Sequence, residues 1–107
     1  MAQPMASPPP QPTKLSEADA DKAVQALPQW SLVGETIQRT FKFANFLDSM
    51  SFVRRIADEA ERVQHHPDIL IRYNKVTLTL STHDAGGLTR KDFDLAGAID
   101  KMVPATA

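Results

Sequence analysis

The chain has 107 residues, enough for one domain with a single core, and its 42% hydrophobic content is that of an ordinary globular protein. A formal net charge of −1 at pH 7 excludes the electrostatic footprint of a nucleic-acid binder or an anionic-membrane binder. Cysteine is absent, which excludes disulfides, thiolate nucleophiles and cysteine-ligated metal sites. No apolar run approaches a membrane-spanning length, and Met1-Ala2-Gln3-Pro4-Met5-Ala6-Ser7 lacks the basic start and apolar core of a secretory signal. The expectation is a soluble, cytoplasmic protein that contacts neither nucleic acid nor membrane.

Residues 1–14 hold five of the eight prolines and almost nothing apolar, so they are predicted to form a flexible proline-rich tail, with the domain at residues 15–107. Ser16 caps a first helix, with Asp19 at the capping-box position, and Ala20, Ala23, Val24 and Leu27 recur at helical spacing before Pro28 stops it. Trp30 to Val33, the turn Gly34-Glu35, and Thr36 to Phe43 read as a hairpin, with Arg39 interrupting an otherwise apolar face of Ile37, Phe41 and Phe43. The longest helix starts at Ala44 or Asn45 and runs to about His65. Met50, Val53, Ala57 and Ala60 form its expected buried stripe, widened by Phe46, Phe52, Ile56 and Val63.

Ile69 to Tyr73, the turn Asn74-Lys75, and Val76 to Thr82 make a second hairpin, in which Tyr73 is a strand aromatic. Its alternation puts His83 on the polar face with Thr77, Thr79 and Ser81. The loop Asp84-Ala85-Gly86-Gly87 follows. Thr89-Arg90-Lys91-Asp92 is a second capping box, opening a helix with Leu95, Ala96, Ile99, Met102 and Val103 inward and Pro104 at its end. The predicted fold is α+β in the order αββαββα: a four-stranded antiparallel sheet from two hairpins, helices packed on one face. Its other face and its edges invite burial against another subunit.

All three histidines lie in Glu61-Arg62-Val63-Gln64-His65-His66-Pro67 and at His83. Histidine is the side chain that exchanges protons near neutral pH, so this concentration suggests a proton-transfer site. His65 and His66 also have a plain reading as helix-end cations, which does not extend to His83. Glu61 lies one turn from Ala57 and one turn from His65. It is either a carboxylate at the edge of the buried face within reach of an imidazole, or a solvated partner of Arg62 or Arg54. Pro67 turns the chain at His66 and separates the directions of the two imidazoles. Asp92 is accounted for as a helix cap.

Among possible chemistries, a metal site would require Glu61, His65 and His83 to converge, because helical His-x-x-x-His spacing is absent. Ser81 has no nucleophile-elbow context, and Asp84-Ala85-Gly86-Gly87-Leu88 lacks the lysine of a phosphate-binding loop. Acid–base work fits best, with one imidazole taking a proton and another delivering one to a leaving hydroxyl: a dehydration.

The pattern Glu61-x-x-x-His65-His66-Pro67, then Tyr73, His83 and Asp92, resembles the signature of the pterin-4a-carbinolamine dehydratases. Tyr73-Asn74-Lys75-Val76, Leu80-Ser81-Thr82-His83, Gly87-Leu88-Thr89 and Trp30 extend the likeness over about residues 15–103. The resemblance implies dehydration of 4a-hydroxytetrahydrobiopterin to quinonoid dihydropterin in tetrahydropterin recycling, without metal or organic cofactor. It implies catalytic His65, His66 and His83, the first and last as proton carriers and the middle one mainly binding. It places substrate contacts at Glu61, Gln64, His65, His66, Ser81, Thr82, His83 and Asp84. Many relatives carry an acid where this chain has Gln64. The resemblance further implies a homodimer or homotetramer, with an aromatic amino acid hydroxylase as pathway partner. Two other functions remain in view: a dimerisation or transcriptional-cofactor module without chemistry, and a dehydratase-like protein acting on a molybdopterin-related pterin.

Overall fold

A computed structural model describes residues 13–103. The elements run α1 (Glu17–Gln25), β1 (Ser31–Val33), β2 (Thr36–Lys42), α2 (Phe46–Val63), β3 (Asp68–Arg72), β4 (Lys75–Leu80) and α3 (Arg90–Asp100), with a short 3-10 turn at His83–Ala85. The two hairpins join into one antiparallel sheet of order β1-β2-β4-β3, as the sequence predicts. Most of the predicted proline-rich tail lies outside the described residues. Its last residue, Lys14, pairs with Glu35 at the surface, and at the start of the domain the Leu15 amide donates to Leu88 O at 2.8 Å.

The register of β2 on β4 sets Ile37 opposite Leu80 and Phe41 opposite Val76 on the covered face. These side chains, with Leu78, are buried together with Phe52 and Ile56 of α2 and Leu95, Ala96 and Ile99 of α3. Non-directional burial of this kind, about 25 cal/mol per Å² of apolar surface, is the main force holding the helices on the sheet. The opposite face is polar at its centre, where Thr40 bonds Thr77 and Gln38 bonds Thr79. Leu70, paired with Thr77, stands on that side at 54% exposure, on the edge strand β3.

Arg39 interrupts the apolar face because its guanidinium leaves it. Its Nη1 donates to Asp100 Oδ1 at 2.6 Å, and its carbon stands 4.2 Å from the centre of the Phe41 ring. The same carboxylate oxygen accepts from Trp30 Nε1 at 2.8 Å, so one acid at the end of α3 fastens β2 and the segment before β1. Asp100→Ala strands both donors and is expected to cost about 2 kcal/mol, read from urea denaturation.

Three local expectations are corrected. The second hairpin turns at Tyr73-Asn74 rather than Asn74-Lys75, because Arg72 pairs with Lys75; Tyr73 is an exposed turn residue at φ 52°, not a strand aromatic. The buried stripe of α2 is Ser49, Phe52, Ile56 and Ala60, while Met50, Phe46 and Ala57 are exposed. Strand β4 ends at Leu80, so His83 is not a strand residue on the polar face but the first residue of the 3-10 turn.

Candidate functional site

The site forms where α2 stops. Asn45 caps its start, with Oδ1 accepting from the Asp48 amide at 2.8 Å, and the helix runs to Val63. Gln64 then takes the left-handed conformation, φ 54° and ψ 45°, and both its amide and that of His65 close on Ala60 O. Such a residue ends a helix by satisfying its last carbonyls while reversing the chain. The helix therefore ends two residues before the predicted position, leaving His65 and His66 on the departing strand of chain ahead of Pro67.

The second wall comes from β4 and the loop beyond it. Thr82 and Gly87 form an isolated bridge, with the Thr82 amide donating to Gly87 O at 2.8 Å. Gly86 closes the 3-10 turn at φ 74°, a conformation that costs glycine little. This closed loop carries His83 and Asp84 outward.

Gln64, His65, His66, Ser81, Thr82, His83 and Asp84 line one cleft of about 270 Å³, together with Lys91. The three imidazoles predicted as catalytic thus share a single depression. Glu61 is not in its lining. Being on the exposed side of α2, at 71% side-chain exposure, it reaches His66 rather than His65, with Oε2 at 2.5 Å from Nε2. The reading of Glu61 as the edge of the buried stripe is corrected for the same reason as Ala57. Tyr73 sits at the hairpin tip and does not line the cleft. Among the described residues, no group of three or more His, Asp or Glu is placed to hold a metal ion.

Asp92 is the residue that sequence reasoning undervalued. It is fully buried, and its capping duty occupies only Oδ2, which accepts from the Thr89 amide at 2.9 Å and from Thr82 Oγ1 at 2.8 Å. Oδ1 lies 2.6 Å from His65 Nε2. A buried carboxylate needs partners on both oxygens, and this is what links the helix start to the cleft. Because Thr82 Oγ1 donates to Asp92, the 2.7 Å contact between the two threonine hydroxyls has Thr89 Oγ1 as donor. With Asp92 Oδ1 accepting, His65 carries its proton on Nε2, and Nδ1 is left as an acceptor with no protein partner among the described residues. The signal available in sequence was the coincidence of a capping acid with a spacing pattern that already held three histidines.

Around the rim, Arg62 grips Glu59 through two hydrogen bonds, 2.9 and 2.5 Å, and holds that carboxyl below its usual range. No helix among the described residues is long and apolar enough to cross a membrane.

Fold and cleft together define a small α+β protein with three helices on a four-stranded antiparallel sheet and a histidine-lined cleft at one end. A family profile described as pterin 4 alpha carbinolamine dehydratase matches residues 13–102. A Picosynechococcus sp. protein provisionally named pterin-4-alpha-carbinolamine dehydratase is 51% identical over 90 residues, covering 84% of this chain and 98% of that relative. A Chloroflexus aurantiacus protein with the same provisional name is 53% identical over 90 residues, covering 84% of this chain and 97% of the relative. The chain belongs to the pterin 4 alpha carbinolamine dehydratase family.

A crystal structure from Brucella melitensis, described as a transcriptional coactivator/pterin dehydratase, matches with a TM-score of 0.82 at 34% identity, covering 86% of this chain and all of that one. A pterin dehydratase-like protein identified as a RuBisCO assembly factor matches with a TM-score of 0.56 at 19% identity, over 68% of this chain and 84% of that one, a likeness of fold alone.

Proposed function

We propose that this chain dehydrates 4a-hydroxytetrahydrobiopterin to quinonoid dihydropterin and water, by histidine acid–base catalysis. The observation that carries the reading is the lining of one cleft by His65, His66 and His83, with Asp92 seated behind His65. His65 Nδ1 takes a proton from a ring nitrogen of the substrate, and the Asp92 carboxylate stabilises the imidazolium that results. His83 protonates the departing C4a hydroxyl, which leaves as water while the carbon–nitrogen double bond forms. His66, held by Glu61, binds the ring, and Gln64, Ser81, Thr82 and Asp84 supply further polar contacts.

General acid–base catalysis of this type contributes about 10²–10⁴-fold per positioned group. Purified protein mixed with enzymatically generated 4a-hydroxytetrahydropterin should accelerate its ultraviolet decay. Decay at the buffer rate, in the presence of folded protein, would sink the proposal.

The working context that goes with this reading is cytoplasmic recycling of the pterin used by an aromatic amino acid hydroxylase. The chain acts as a homodimer or homotetramer, with residues 1–14 as a spacer ahead of the domain. The exposed Ile69 and Leu70 on edge strand β3 support self-association. They also support a second reading, a protein-binding module, to which the coactivator description of the Brucella melitensis relative points. Replacing His65 and His83 separates the two, since a binding role survives the loss of catalysis.

A further inference from the structure

We propose that the groove between α2 and α3 is a second subsite of the histidine cleft, taking a phosphomonoester carried on the substrate's side chain, with Lys91 as its cation. This rests on the pterin reading of the histidine cleft and adds a substrate class to it. The groove has a volume of about 250 Å³, and its walls include Val63, Leu95 and Ala98. It meets the histidine cleft at His65 and Lys91, which line both. Each depression alone is smaller than the roughly 300–1,000 Å³ usual for small-molecule sites, and the two joined fall within that range. A flat heterocycle against the imidazoles would extend its substituent past Lys91 into the groove.

The charges favour an anion at that end. The two carboxylates lining the groove are already engaged: Glu59 with Arg62, and Asp94 with Arg90 at 3.3 Å. Lys91 has no ion pair and no side-chain hydrogen bond among the described residues, while its amide is fixed on Thr89 Oγ1 at 3.3 Å. Asp84 lines the histidine cleft but not the groove. An anionic substituent passing from the cleft into the groove therefore meets the Lys91 ammonium where the two depressions join. An ammonium on a flexible stem is a common phosphate partner.

The test is calorimetric binding of a dihydropterin bearing a phosphomonoester on its C6 side chain, against the same compound dephosphorylated. The native protein should bind the phosphorylated compound about tenfold more tightly, the effect of one charge-assisted contact. Lys91→Met should erase that preference; Lys91→Arg should retain it. Because Lys91 is exposed, neither substitution should alter the melting temperature. Equal affinity for both compounds in the native protein, or a preference that survives Lys91→Met, overturns the groove assignment alone. Failure to bind either compound overturns the pterin reading itself, and the groove assignment with it.

Discussion

Asp92→Asn is expected to lower turnover of the carbinolamine by about 10²–10⁴-fold while leaving the protein folded. The amide can keep its oxygen at the Oδ2 position, where the Thr89 amide and the Thr82 hydroxyl donate. Its nitrogen then faces His65 Nε2, which must become an acceptor, and the imidazole proton moves to Nδ1. The nitrogen turned toward the cleft changes from acceptor to donor, so the base is lost without a change in shape. Asp92→Ala is a different experiment. It leaves buried donors without partners and removes the acid half of the α3 capping box, and should cost about 3–5 kcal/mol in urea denaturation. Undiminished turnover by a folded Asp92→Asn protein would reduce the residue to a helix cap.

His83→Ala is expected to give a comparable loss, about 10²–10⁴-fold, with stability unchanged within about 0.5 kcal/mol. Its side chain is exposed in the 3-10 turn and has no hydrogen-bond partner among the described residues, so truncation removes nothing that holds the fold. The paired readouts are the decay of the carbinolamine and the sedimentation profile. Loss of the first with retention of the second is the signature of a residue used for chemistry. Full activity would remove His83 from the mechanism and leave the pair at 65 and 66 to work without a distant partner.

The element order and the sheet were legible because each segment carried its own stop or start: Pro28, Gly34, Pro67, the Ser16 cap and the Thr89 capping box. The face of α2 was not. Apolar residues lie on both its sides, with Phe46, Leu47 and Met50 exposed, and a serine occupies one of the four buried positions. Ser49 is accommodated there because its hydroxyl donates to Asn45 O at 3.2 Å, a local bond that no period of hydrophobicity reports. That shift in phase moved Glu61 outward and exchanged its expected partner, so that His66 and not His65 meets it.

The turn at Tyr73-Asn74 failed for a related reason. An aromatic residue at φ 52° runs against local preference, and only the pairing of Arg72 with Lys75 sets it there. The cleft was legible as a set of residues through the family resemblance, which implied Gln64, His65, His66, Ser81, Thr82, His83 and Asp84. Lys91 was hidden inside a helix-start motif, and Asp92, though part of the pattern that carried the resemblance, was given only the duty of a cap.

The sharing of one carboxylate between Thr89 and His65 ties two processes that are usually separable. When the first turn of α3 frays, the Thr89 amide proton is released to solvent, and the seat behind the imidazole opens in the same motion. Deuterium uptake at that single amide thus measures, with no ligand present, how often the cleft loses its shape. Any substitution that loosens the start of the helix should speed this uptake and dull the chemistry in step.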